Sequence, residues 1–150
     1  MAYDVSTTIE IAATPENVWE VLADLASYPQ WHPVYQAVTG QLAAGSTLTI
    51  TTTHPASGRA MTARVKVLTA EPNTELRWVS KLAGVTISER FFQLSPSAGG
   101  TALVQAASYR GLGRSGNRVM NKTVTRIEDT FATINQAIKQ QAEARYRAPG

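Results

Sequence analysis

The sequence predicts an α+β domain in which a curved antiparallel sheet of about seven strands wraps one long C-terminal helix, with two short helices after the first strand. Three observations carry this reading. One alternating segment, Asp4 to Ala12, runs directly into a helix-start signal. From Val34 to Arg110 the chain shows only strand and turn patterns. After Gly116, apolar residues recur at helical spacing almost to the end. With 150 residues the chain has the size of one domain with its own core, so 1–150 reads as a single domain whose last residues, 146–150, fray.

Val5, Thr7, Ile9 and Ile11 alternate with Ser6, Thr8 and Glu10, as in a half-buried strand. Thr14 can cap the next helix, Pro15 suits its first position, and Glu16 meets the positive end of the dipole. Val18, Trp19, Val21, Leu22 and Leu25 form the apolar face, with Trp19 read as core. Tyr28-Pro29-Gln30-Trp31-His32-Pro33 interrupts the helix and predicts a short turn against the core.

In the strand region, Leu48, Ile50 and Thr52 oppose neighbouring threonines. Met61, Ala63, Val65 and Val67 oppose Thr62, Arg64 and Lys66, and Leu76, Trp78 and Ser80 oppose Arg77 and Lys81. One wet and one apolar face mark an antiparallel sheet covered on one side. Pro/Gly/Ser/Asn clusters at 54–58, 71–74, 83–84 and 95–100 separate the strands. Between Val85 and Leu94 the register is open, because Phe91 and Phe92 must face opposite ways. The same holds for Glu89 and Arg90: only one points inward, and that one is the candidate polar anchor. On the final helix Met120, Val124, Ile127, Phe131, Ile134 and Ile138 share a face.

Composition excludes several classes of function. With no cysteine, the chain has no disulfide frame, thiolate metal site or cysteine nucleophile, which fits a cytoplasmic address. The first residues do not read as a signal peptide, and no apolar run reaches the ~20 residues of a membrane-spanning helix. His32 and His54 are the only histidines, and no His or carboxylate pair has helical ligand spacing, so no metal is expected. His54 reads as solvent-facing, and His32 as packed beside Trp31 or at a cavity mouth. Gly111-Leu112-Gly113-Arg114-Ser115-Gly116 spells a dinucleotide-binding pattern, but no parallel strand with an acidic residue follows it. No cofactor is therefore expected. Arg110, Arg114, Arg118, Lys122 and Arg126 form a basic stripe that reads first as a solvated helix face and second as a partner-binding surface. A net charge of +3 is too small an excess to call for nucleic acid. Homodimer formation is left open.

A strongly curved sheet cannot touch a straight helix everywhere, so a gap should open near Pro29 and Pro33, and that gap is the natural ligand site. Trp31, Tyr35, Trp78 and Tyr109 would supply flat walls with polar tips, and Ile50, Val65, Leu103, Met120 and Val124 apolar ones. Tyr35 and Tyr109 fit core and cavity readings equally.

Ile9 to Trp19, then Asp24, Tyr28-Pro29-Gln30-Trp31, Phe92-Gln93-Leu94 with Gly99-Gly100-Thr101, and finally Phe131, Asn135, Ala137, Ile138 and Lys139 resemble the START-like or Bet v 1-like (SRPBCC) superfamily. Within it, the chain is similar to the bacterial polyketide cyclase/dehydrase and lipid-transport-like branch. The resemblance covers nearly the whole chain and implies a helix-grip fold with a hydrophobic cavity. The leading expectation is binding of a hydrophobic, ring-containing small molecule, lipid or polyketide-like, in at least about 300 Å3 of free space. The alternative is a cyclase, aromatase or dehydratase with Tyr35 as proton donor, since the family's aromatase/cyclases place a tyrosine at the matching position. They also place an arginine in the cavity on a middle strand. Here the matching stretch reads Ala63, Val65 and Val67, so that arginine is expected to be missing.

Overall fold

Strand β1 (Val5–Ile11) opens the fold and buries Val5 and Ile11 at its two ends. The computed structural model describes residues 5–53, 57–82, 85–109 and 118–145, except the side chains of 82, 85, 87 and 118–126. Helix α1 (Pro15–Ala23) starts as its sequence dictates. Thr14 Oγ1 accepts the amide of Asn17 at 3.2 Å, Pro15 takes the first turn, and Val18, Trp19, Val21 and Leu22 are buried. A 3-10 turn (Leu25–Ser27) leads into the four-residue helix α2 (Tyr28–Trp31), which stops at His32, held extended ahead of Pro33.

Six strands follow: β2 (Tyr35–Gly40), β3 (Thr47–Thr53), β4 (Ala60–Glu71), β5 (Glu75–Leu82), β6 (Val85–Ser97) and β7 (Gly100–Tyr109). They form one antiparallel sheet in the order β1-β7-β6-β5-β4-β3-β2. Each strand from β2 to β6 thus pairs with its successor, and β1 pairs with β7 at the far edge. Register shifts at Tyr35/Ala37, Val67/Thr69 and opposite Ser80/Lys81 place bulges in β2, β4 and β6, where an extra residue bends the strand and deepens the curl.

Helix α3 (Arg118–Arg145) lies in the curl. Its buried Phe131, Ile134, Ile138 and Ala142 meet β1, α1 and β7. The helix also covers the exposed edge of β1. Glu143 Oε2 accepts the Ala12 amide at 2.8 Å, and Lys139 Nζ donates to the Glu10 carbonyl at 3.3 Å. The architecture is the expected α+β helix grip. Among the described residues, no helix is long and apolar enough to cross a membrane. The basic stripe's side chains, the glycine pattern at 111–116, His54 and the tail at 146–150 lie outside the described residues.

The β6–β7 turn fixes how β1 leaves the sheet. Gly100 sits at φ +139°, and a Cβ there would overlap the Ile11 carbonyl and lie 2.8 Å from the Ala13 amide nitrogen. Next to it, Thr101 Oγ1 donates to the Ala13 carbonyl at 2.7 Å. Gly100→Ala should therefore lower unfolding free energy in urea by more than about 2 kcal/mol. Gly45→Ala has positive φ but open space around it, and should cost about 1 kcal/mol.

Candidate functional site

The pairing of β5, β6 and β7 decides which of Glu89 and Arg90 points inward. Trp78, Arg90, Ala107 and Val5 fall in one cross-strand row, and Leu76, Phe92, Gln105 and Thr7 in the next. Arg90 and Phe92 therefore share the concave face. Glu89 and Phe91 take the outer one, where Arg77 reaches Glu89 at 2.6 Å and Glu75 at 3.2 Å and lies 4.6 Å over the Phe91 ring. The hydrogen bond from Arg77 holds the Glu75 carboxyl below its ordinary range.

Arg90 is 9% exposed. One terminal nitrogen donates to the Tyr35 hydroxyl and the other to Gln105 Oε1, while Nε has no partner among the described residues. The rings of Phe131, Phe92, Tyr35 and Trp78 surround the guanidinium at 4.7, 5.0, 5.4 and 5.7 Å. Their π faces offset part of its desolvation. Among the described residues no carboxylate lies within ion-pair distance of it.

A chain of neutral groups holds this cation in place. Gln105 Nε2 donates to Asn135 Oδ1 at 2.6 Å, Asn135 Nδ2 donates to Thr7 Oγ1 at 2.9 Å, and the Thr7 hydroxyl donates to the Gln105 carbonyl at 3.1 Å. These bonds orient the Gln105 amide so that its oxygen, not its nitrogen, faces Arg90. On the other side the Tyr35 hydroxyl accepts from Arg90, which leaves its own proton to be donated elsewhere.

His32 fixes Tyr35. Its Nδ1 accepts the amides of Val34 and Tyr35 at 3.1 and 2.9 Å, so the ring proton sits on Nε2. The imidazole stacks on the Tyr35 ring at 4.4 Å and 2°, with Tyr28 5.2 Å away on a further ring contact. Tyr28 donates to the Leu22 carbonyl at 2.6 Å, and burial raises its pKa.

A cavity of about 200 Å3 opens from this cluster, lined by Tyr35, Ile50, Thr52, Ala63, Val65, Trp78, Ser80, Ser88, Arg90 and Tyr109. Five of the residues expected from sequence meet there: Tyr35, Ile50, Val65, Trp78 and Tyr109. Trp31 is placed elsewhere, its indole N–H donating to Ser27 Oγ at 2.9 Å and its ring edge-on to Tyr28. Leu103 is fully buried in the main core. Met120 and Val124 belong to α3, but their side chains lie outside the described residues.

Two expectations need correcting. The described cavity, at about 200 Å3, is smaller than the roughly 300 Å3 at which ordinary ligand pockets begin. And the cavity does hold an arginine. Ala63 and Val65 line it without charge, but Arg90 enters from β6 through the register that sequence left open. Gln105 escaped the sequence reading, and Asn135 entered it only through the resemblance. Their signal was present, since each is a polar residue at an inward position of an apolar face. A wider groove of about 410 Å3 between β1 and α3 is lined by Thr7, Thr8, Ile9, Ala132, Asn135 and Gln136, with no charged or aromatic side chain.

The chain belongs to the polyketide cyclase / dehydrase and lipid transport family, whose sequence profile matches residues 2–143. Its fold is similar to that of a Staphylococcus aureus protein of unknown function, with TM-score 0.75 and 12% identity over 94% of this chain and 93% of that one. A Rhodobacter sphaeroides protein superposes with TM-score 0.71 and 21% identity, over 93% and 91% of the two chains. The di-domain aromatase/cyclase StfQ of the steffimycin biosynthetic pathway superposes with TM-score 0.72 and 15% identity, over 95% of this chain and 52% of StfQ. No curated protein sequence matches the chain.

Burial, and secondarily the charge of Arg90, lower the His32 pKa from 6.5 to about 3. The unfolded chain therefore takes up this proton at higher pH than the folded one. The contribution is constant above neutrality and becomes destabilising as pH falls from 6.5 toward 3. Between pH 7.5 and pH 5, urea unfolding should lose about 2 kcal/mol through this group. His32→Asn, whose Oδ1 can accept the same two amides, should remove most of that loss.

Proposed function

We propose that this chain binds a compact, ring-bearing small molecule in the cavity beside Tyr35 and Trp78, with Arg90 as its polar anchor. The carrying observation is the buried guanidinium itself, placed among aromatic rings in the lining of a cavity. The aromatic sides of Tyr35, Trp78 and Tyr109 favour a flat ligand. Ile50, Val65 and Ala63 favour an apolar body, and the hydroxyls of Ser80 and Ser88 offer weak polar contacts at the far side. The size favours a single-ring or similarly compact compound over a long-chain lipid.

A second reading, cyclase or dehydratase chemistry, is supported by the contact between Arg90 and Tyr35. A cation on the phenol oxygen stabilises the phenolate left behind after proton donation, which is what a general acid at Tyr35 requires. The family membership and the likeness to an aromatase/cyclase favour the same chemistry. On this reading, Tyr35→Phe abolishes turnover of a poly-β-ketone substrate while leaving its binding largely intact. Unchanged turnover removes the role.

Native mass spectrometry of the purified protein, before and after denaturation, tests the binding reading. A compact organic compound should be retained and released on unfolding. Ala63→Phe, which places a ring in the cavity mouth at an exposed position, should lower its occupancy at least about tenfold, equivalent to about 1.4 kcal/mol, without loss of fold. Equal occupancy in the variant would place the ligand elsewhere.

A further inference from the structure

We infer that the cavity takes an anion: a small ring-bearing carboxylate whose charge is met by Arg90. This rests on the binding reading above and narrows its ligand class.

The argument begins with charge. A guanidinium is permanently cationic, and burying one without a counter-charge costs several kcal/mol. Three partly exposed basic side chains each meet a carboxylate: Arg77 has Glu75 and Glu89, Lys139 has Glu143, and Arg145 has Asp24. Arg90, more deeply buried than any of them, meets only the neutral oxygens of Tyr35 and Gln105 among the described residues. Gln105 is fully buried, at 0% exposure, with its amide oriented by Asn135, and as a carboxamide it carries no charge. His32 is held neutral by burial.

Hydrogen bonding points the same way. A guanidinium carries five N–H donors in a planar fork, and the described residues supply two acceptors. Nε is buried and unmet, and the second hydrogens of the terminal nitrogens are unassigned. The Tyr35 hydroxyl, accepting from Arg90, has its own hydrogen to give. Among the described residues, the polar end of the cavity is thus a set of donors with one positive charge and no negative one. A carboxylate matches it in charge, planarity and acceptor count. Trp78 and Tyr109 provide aromatic walls for a ring, and Ile50 and Val65 an apolar side.

The test compares two probes of nearly identical shape, benzoate and benzamide, by ligand-observed NMR and calorimetry on the full chain. Benzoate should bind at least tenfold more tightly than benzamide. Arg90→Met should erase that preference. So should Gln105→Glu, which places a carboxylate against the guanidinium from within and leaves Arg90 itself in place. Equal binding of the two probes to the wild-type chain would overturn the anion inference and leave the small-molecule reading standing. Failure of both probes to bind would overturn both. A preference for benzoate that survives in both variants would place the anion away from Arg90.

Discussion

The burial of one positive charge, with no carboxylate in ion-pair reach among the described residues, organises the candidate site. Arg90 is carried inward by the β5–β6–β7 register, and the surroundings then accommodate it with aromatic faces and neutral oxygens. A domain selected for stability alone would put a Leu or Met at such a position, since apolar replacement of buried charge is often neutral or stabilising. The polar relay from Gln105 through Asn135 to Thr7 crosses from sheet to helix and back to the first strand. It ties the orientation of the cation to the docking of α3 on β1.

The cavity follows from a mismatch of shapes. Bulges in β2, β4 and β6 bend the sheet, while α3 packs against β1, β7 and α1 at one side of the concavity. The other side, where Ala63 and Met61 remain exposed on β4, is where the concave face opens. The interruption between α1 and β2 then supplies Tyr35 and its support. His32 ends α2, accepts the two amides that follow, and stacks against the phenol ring. Local turn geometry and placement of a candidate reactive hydroxyl are thus one structural event.

Much of this architecture was legible because it rests on periodicity and caps. The alternation of Val5 to Ile11, the Thr14-Pro15 helix start and the spacing of Phe131, Ile134 and Ile138 are local signals, and each formed the element it predicted. The site was legible where strand alternation fixed the face, as for Ile50, Val65 and Trp78. It was illegible where two adjacent residues had equal claims. Phe91 and Phe92 carry no difference in hydrophobicity, so the side taken by Arg90 depended on pairing with β5 and β7, which is information distant in sequence. Cavity volume was equally out of reach, because it depends on how far long side chains such as Trp78 and Arg90 extend into the gap.

The central claim is that Arg90 is a net cost to the empty fold, kept for what it meets in the cavity. Urea unfolding of Arg90→Met beside the wild-type chain, both freed of ligand, tests it most directly. Relief of the buried charge should leave the variant at least as stable, even after the Gln105 oxygen loses its donor. A loss of about 3–5 kcal/mol, the size expected when one partner of a buried ion pair is removed, would show instead that Arg90 is a structural member of the core.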